Sequence, residues 1–308
     1  MPEHDLAARR SCLSVPGVAE RMLAGARELA PDEVVIDLED SVPPPAKEAT
    51  RAAVVAAVRD GDWRADSIAV RINGPGTEWF ERDVRELLAG AGERLRCLVV
   101  PKVECVKDVE VVALLADQIE AAHPRARPVG LELLIETARG LRNAPKIAEA
   151  DERVESLIVG YADLAASLGR PPIAPGEDPR ERWAPVLHDV LIAARAAGIQ
   201  AIDGPFFDIA DVDGCRAWAD HAHSLGYDGK WALHPTQIEP LGEAFAPSDA
   251  ELDAAAALLE ALAASEAGGR GAALHDGEMI DEASRKQALG VLARGAAAGR
   301  PADERPGA

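Results

Sequence analysis

Eight short runs of apolar, largely β-branched residues recur along the chain. Between them lie longer stretches in which apolar residues return every third or fourth position. The runs are CLSVP (12–16), VVIDLED (34–40), SIAVRIN (67–73), CLVVPKV (97–103), LELLIET (131–137), SLIVGYADL (156–164), AIDGPFF (201–207) and KWALHP (230–235). AERMLAGAREL, AKEATRAAVVAAVR, VKDVEVVALLADQIEAA and RAWADHAHSLG are typical of the stretches between, and SVPPPAKEA carries proline where a helix begins. Parallel neighbours can be joined only through a crossover, so this alternation predicts βα units around a parallel sheet. Eight units within roughly 240 residues match a (β/α)8 TIM barrel. An open doubly wound sheet is the alternative. It lacks its usual mark, since VPGVAE after the first strand holds a single glycine where a GxGxxG would stand.

The pattern changes near residue 240. SDAELDAAAALLEALAASEA reads as a helix capped by Ser248 or Asp249. AGGRGAA reads as a turn, and HDGEMIDEASRKQALGVLARG as a short irregular segment followed by a second helix. The expected organisation is a catalytic barrel over 1–240, a helical lid or subunit-interface segment over 241–295, and a disordered tail over 296–308.

Composition narrows the partners. With a net charge of −20, the overall field repels nucleic acid and anionic membranes, so a phosphate-bearing ligand needs a local basic pocket. Arg9, Arg10 and Arg21, near the first strand, are candidates for phosphate contacts, with solvated surface charge as the plainer reading. Cys12, Cys97, Cys105 and Cys215 form no CxxC pair and read as free thiols in a reducing compartment. MPEHDLAARR has no apolar core of the signal-peptide kind, and no stretch has the length and hydropathy of a membrane span. The expected location is the cytoplasm.

Polar residues gather where the runs end, and in a parallel barrel those C-terminal mouths carry the chemistry. In strand order they are Asp37, Glu39 and Asp40; Arg71 and Asn73; Lys102 and Glu104; Glu132 and Glu136; Asp163; Asp203 and Asp208; and His234. Any one carboxylate is explained well enough as a cap of the next helix, Asp208 and Asp211 especially. The set is harder to explain that way. So many carboxylates in one mouth repel each other unless a cation joins them, and all-oxygen ligation points to Mg2+ or Mn2+.

SVPG, DLEDSV, VRIN, VPKVE, IETARG, GYADL and LHPTQI stand in this order over residues 11 to about 240, with GEMID beyond them. Together they resemble the HpcH/HpaI aldolase and citrate lyase β-subunit (CitE-like) superfamily, most closely its stand-alone malyl-CoA and citramalyl-CoA lyases. The resemblance implies a (β/α)8 barrel, a divalent metal, and reversible cleavage of a 3-hydroxyacyl-CoA into an acyl-CoA and a 2-oxo acid or glyoxylate. It implies Glu136 and Asp163 as metal ligands, with Glu136 also against the substrate, and Arg71 on the substrate carboxylate or thioester oxygen. Asp37, Glu39, Asp40 and Lys102 surround them. It further implies a lid aspartate, Asp281, supplied by a neighbouring subunit of a homotrimer or hexamer.

Such a cleavage needs a base for the hydroxyl proton, for which Asp281 is the candidate, and a polarised nascent carbonyl, which the metal serves. It also needs a fixed positive group for the enolate oxygen, for which Arg71 is the candidate. Plainer roles stand beside these: Arg71 as the partner of an acid such as Glu39, Lys102 as a counter-ion, His234 as an orienter of the last loop, Asp281 as a helix cap. A pyruvate aldolase of the same superfamily is disfavoured, since Asp40 stands where those enzymes place a histidine. A citrate lyase β-subunit acting on an acyl-carrier-protein thioester, malate-synthase-like or thioesterase activity at the same site, and a non-catalytic CoA-binding protein are the remaining alternatives.

Overall fold

A computed structural model describes residues 7–172, 179–267, 272–275 and 277–298. Eight parallel strands form a closed barrel in chain order: β1 (Ser11–Pro16), β2 (Glu33–Asp37), β3 (Ser67–Arg71), β4 (Leu95–Val100), β5 (Gly130–Ile135), β6 (Val154–Val159), β7 (Gln200–Asp203) and β8 (Gly229–Ala232). Each predicted run holds one strand, and β1 pairs with β8 to close the ring. The runs overshoot at their ends. Leu38–Asp40 form the loop after β2, and Tyr161–Leu164 belong to a helix, Tyr161–Ser167.

Alternation along each strand sorts its side chains into two layers. Val34 and Ile36 join the large apolar layer between strands and helices, whereas Val35, Ala69, Val99, Leu134, Ile158, Ile202 and Trp231 fill the barrel interior. The inward set on β2 is therefore Glu33, Val35 and Asp37; on β3 it is Ser67, Ala69 and Arg71; on β5 it is Glu132 and Leu134, with Glu136 just beyond. Each line runs from polar floor through apolar middle to charged mouth.

The floor is built around Arg9, whose side chain is fully buried. It donates to Gln200 at 2.6 Å, to Glu155 at 2.6 Å and to Glu33 at 3.3 Å, and pairs with Glu132 at 3.3 Å. Arg9 is thus unavailable to a phosphate, and Arg10 is engaged by Asp32 at 2.7 Å. Arg21 is exposed. Glu132, expected at the mouth, lies at the opposite end of the barrel from it. Burial first, then the carboxylates of Glu33 and Glu155, push its carboxyl well above the usual range against the pull of Arg9.

Residues Met1–Phe245 form one compact unit and Ala246–Ala308 another. In the second, helix Asp249–Ala267 packs against helix Glu282–Ala297. Ser248 caps the first helix, exchanging hydrogen bonds with Glu251. The segment read as irregular contains an antiparallel pair, Ala273–His275 with Glu278–Ile280, and Gly277 (φ +85°) supplies the left-handed backbone between them. The tail expected to be disordered falls, from residue 299 on, outside the described residues. No described helix is long and apolar enough to cross a membrane. Cys12, Cys97, Cys105 and Cys215 are all free thiols.

Candidate functional site

Strand register assembles the mouth. Asp37 pairs with Arg71 across β2 and β3, so carboxylate and guanidinium leave the sheet side by side. Arg71 donates from Nε to Oδ1 at 2.7 Å and from Nη2 to Oδ2 at 2.8 Å, a bidentate fork. Glu39 N–H and Ser41 N–H also donate to Asp37, at 2.8 and 3.0 Å. Burial alone raises the Asp37 carboxyl, but the bonds and charge of Arg71 outweigh it and hold the carboxyl below its ordinary value. Two Arg71 N–H groups are spent on Asp37. Of its five, three remain, with Nη1 at 3.3 Å from Glu39 Oε2 and the guanidinium over the ring of Trp231. Both readings of Arg71 thus have a physical basis: it is paired, and it keeps donors to spare.

Lys102 ties the β2 and β5 sides together. Its Nζ donates to Glu39 at 2.5 Å and to Asp40 at 3.2 Å, and its backbone N–H donates to Glu136 Oε1 at 2.8 Å. It is the one non-glycine among the described residues with positive φ, +53°. Such a conformation costs roughly 1–3 kcal/mol and persists where its surroundings enforce it. Burial lowers the Lys102 ammonium, but Glu39, Glu136 and Asp40 outweigh it and push it above its ordinary value, as expected of a counter-ion. Lys47, which the sequence pattern did not single out, is buried beneath. Its Nζ donates to the carbonyls of Leu38 and Glu39 at 2.8 and 2.7 Å and to Asn73 at 2.5 Å, fixing the loop that carries Glu39. A lysine ten residues beyond its strand, on a helix, carries no motif that marks it.

Ile135 pairs with Val159, so Glu136 and Gly160 follow on adjacent strands. Gly160 has no side chain for a reason: a Cβ there would lie 2.5 Å from Glu136 Cβ and 2.6 Å from its Oε2. Asp163 stands in the first turn of the next helix, near enough to act on Glu136. Burial first, then the Glu39 carboxylate, push the Glu136 carboxyl up to about 7; Asp163 adds to this, while the Lys102 N–H and Arg71 oppose it. Burial likewise raises Glu39, whose Oε2 is buried without a hydrogen-bond partner.

These groups fit a hard divalent cation. Among the described residues, Glu136 Oε2 and the Asp163 carboxylate accept no hydrogen bond, and the two repel each other. Also among the described residues, no three His, Cys, Asp or Glu side chains converge as a metal cluster. Mg2+ is commonly held by one or two carboxylates, with water and substrate oxygens completing its shell. A cavity of about 390 Å³ opens beside Glu39 and Lys102, lined also by Asp40, Lys47, Asn73 and Trp79 among others; Arg71, Glu136 and Asp163 are not in its lining. A larger cavity of about 500 Å³, walled by Tyr161, Trp183, Phe206 and Trp218, includes none of Arg71, Lys102, Glu136 or Asp163 in its lining.

Other expected mouth residues have structural partners. Asn73 bonds Asp83 and the Leu38 carbonyl. Glu104 pairs with Arg139. Asp208 accepts from the Ala210 N–H, and Asp211 caps a helix through the Gly214 N–H. His234 accepts from the Thr236 N–H in the last loop. Asp203 turns outward, away from the barrel interior, and pairs with Lys230. Asp281, in the second unit, caps helix Glu282–Ala297, accepting from the N–H groups of Ala283 and Ser284 at 2.8 and 3.2 Å.

The chain is 38% identical over 288 residues to an L-malyl-CoA/beta-methylmalyl-CoA lyase of Cereibacter sphaeroides, covering 89% of each. It is 34% identical to a (3S)-malyl-CoA thioesterase of the same organism, covering 92% of this chain and 94% of that one. Among solved structures, CitE of Mycobacterium tuberculosis in complex with magnesium, acetoacetate and coenzyme A matches with a TM-score of 0.71 and 32% identity, over 94% of this chain and 99% of that one. The sequence pattern of the HpcH/HpaI aldolase/citrate lyase family matches residues 10–235, and with these likenesses it places the chain in that family.

Proposed function

We propose that the protein is a metal-dependent CoA-ester lyase. It cleaves a 3-hydroxyacyl-CoA of the malyl, methylmalyl, citramalyl or citryl type, reversibly, into an acyl-CoA and a 2-oxo acid or glyoxylate. The observation that carries this reading is the meeting of Glu136, Asp163 and Arg71 at one barrel mouth: Glu136 keeps Oε2 free while Lys102 N–H holds its Oε1, the Asp163 carboxylate accepts no hydrogen bond among the described residues, and the guanidinium beside them has donors to spare. Glu136 and Asp163 hold Mg2+ or Mn2+, which when bound polarises the carbonyl of the 2-oxo acid as a Lewis acid. Arg71, clamped by Asp37, presents its remaining N–H groups to the enolate oxygen without having to reorganise. Glu39, Asp40 and Lys102 keep the rim in place around it.

Asp281 is the base that takes the hydroxyl proton, reaching the site from a neighbouring subunit of a homotrimer or hexamer, with residues beyond the barrel as lid and interface. Its capping bonds occupy Oδ1 and leave Oδ2 for the proton. The likeness to the malyl-CoA lyase supports the CoA-ester lyase activity. A second reading, hydrolysis of the thioester at the same site, is favoured by the likeness to the malyl-CoA thioesterase.

The test is a panel of malyl-, methylmalyl-, citramalyl- and citryl-CoA, and the matching acyl-carrier-protein thioesters, with and without Mg2+, following free CoA and oxo acid separately. Oxo acid released without free CoA, and only with metal, is the expected result. Free CoA identifies the thioesterase. Turnover of acyl-carrier-protein thioesters alone identifies a citrate lyase β-subunit, and no turnover of any thioester refutes the reading.

A further inference from the structure

Lysine and aspartate side chains buried without exposure between strands and helices are costly, and a well-packed apolar pair is often at least as stable there. Asp203 and Lys230 are such a pair. They stand opposite each other in the β7–β8 register, their side chains fully buried and 2.6 Å apart. Both point out of the barrel, since their neighbours Ile202 and Trp231 point in. Lys230 Nζ also donates to the Gly204 carbonyl at 2.5 Å. Asp203 Oδ1 accepts from the Gly204 N–H at 2.8 Å and from the Tyr161 hydroxyl at 2.5 Å. The Tyr161 ring is held edge-on to Trp183 and Trp218, and the Lys230 ammonium lies over the Tyr161 and Trp218 rings. Nothing in the chemistry above uses these groups.

Tyr161 opens the helix that carries Asp163 two residues later. That helix has seven residues, and its cap, Gly160, supplies no side-chain bond. The Asp163 carboxylate accepts no hydrogen bond among the described residues, so the backbone of this first turn alone sets its place. The Leu164 N–H closes the turn on the Gly160 carbonyl at 3.1 Å, and two bonds tie it to the neighbouring strands: Gly160 N–H to the Ile135 carbonyl at 3.1 Å, and the Tyr161 hydroxyl to Asp203. Glu136, by contrast, is held directly by the Lys102 N–H.

We propose that Tyr161, Asp203 and Lys230 form a positioning network for Asp163, the buried ion pair acting as a fixed post to which the metal-binding turn is tied. The assignment rests on the reading of Asp163 as a metal ligand. Lys230 holds Asp203 in place at 2.6 Å in an apolar layer, and Asp203 in turn fixes the Tyr161 hydroxyl. Tyr161→Phe cuts this tie and leaves the aromatic packing intact.

The experiment measures Mn2+ affinity of the substrate-free protein by electron paramagnetic resonance, alongside melting temperature without metal. Partners of this kind around metal sites typically contribute roughly tenfold or more in affinity, so Tyr161→Phe and Lys230→Met should weaken Mn2+ binding by about that much. The control is Tyr227→Phe. Tyr227 lies in the same layer, but its buried hydroxyl donates to the Leu187 carbonyl at 2.8 Å rather than to Asp203. Its loss should lower the melting temperature comparably and leave Mn2+ affinity unchanged. Wild-type affinity in Tyr161→Phe overturns the proposal, and so does equal weakening in Tyr227→Phe, which marks general loosening. A wild-type protein that binds no Mn2+ overturns the metal site itself, a result distinct from either.

Discussion

Arg71→Lys separates charge from geometry at the mouth. Lysine keeps a positive charge but replaces the planar fork with one ammonium on a flexible stem. In the structure Arg71 makes two charge-assisted bonds to Asp37, at 2.7 and 2.8 Å. Lysine retains at most one, and each is worth about 1.5–3 kcal/mol. The variant should therefore melt roughly 3–12 °C below wild type, at about 2–4 °C per kcal/mol for a unit of this size. Turnover should fall further than stability. In the proposed mechanism the donors left over from Asp37 serve the enolate oxygen, and losing one such donor costs about 2.7–4 kcal/mol of barrier, or roughly 10²–10³ in kcat.

The pH dependence supplies an internal check. Asp37 is held below its ordinary value, so the stability it contributes is complete above pH ~4 and is lost as pH falls through the lower folded value. With the fork gone that acid loss shrinks, and the melting curves of variant and wild type should converge toward acid. The assays are stopped-time cleavage of malyl-CoA at saturating Mg2+ and thermal melts from pH 3 to 8. A folded lysine variant with kcat within about threefold of wild type, under 1 kcal/mol of barrier, would refute the role of the fork.

Arg9→Met removes the cation from the barrel floor and leaves Glu33 and Glu132 without compensation. It should cost about 3–5 kcal/mol, on the order of 10 °C in melting temperature, and the deficit should shrink as pH is lowered and the buried Glu132 takes up a proton. A calorimetric scan showing no loss would rule out the floor cluster. Glu136→Gln should abolish the rise in melting temperature that Mn2+ gives wild type, measured by differential scanning fluorimetry. Asp281→Ala should cost about 1 kcal/mol of helix capping, fold, and lose turnover; a variant at full activity removes Asp281 from the mechanism.

Much of the architecture was legible in local patterns. Strand and helix periods are properties of neighbouring residues, and eight such alternations leave few ways to bury both faces of a parallel sheet. VVIDLED already showed an apolar strand turning acidic where it leaves the core. Local patterns could not say which end of the barrel a charge occupies. Glu132 and Glu136 share one face of β5, yet Arg9, arriving from before the first strand, claims one for the floor. Nor did they show that Asp203 faces outward to Lys230, or that Lys47 reaches back beneath Glu39. Asp163 read as the end of a strand but sits on a helix, because its strand stops at Val159. Periodicity is written in residues a few positions apart. The partner of a buried charge depends on register and closure across the barrel, on residues tens to hundreds of positions away, and only the folded chain brings those together.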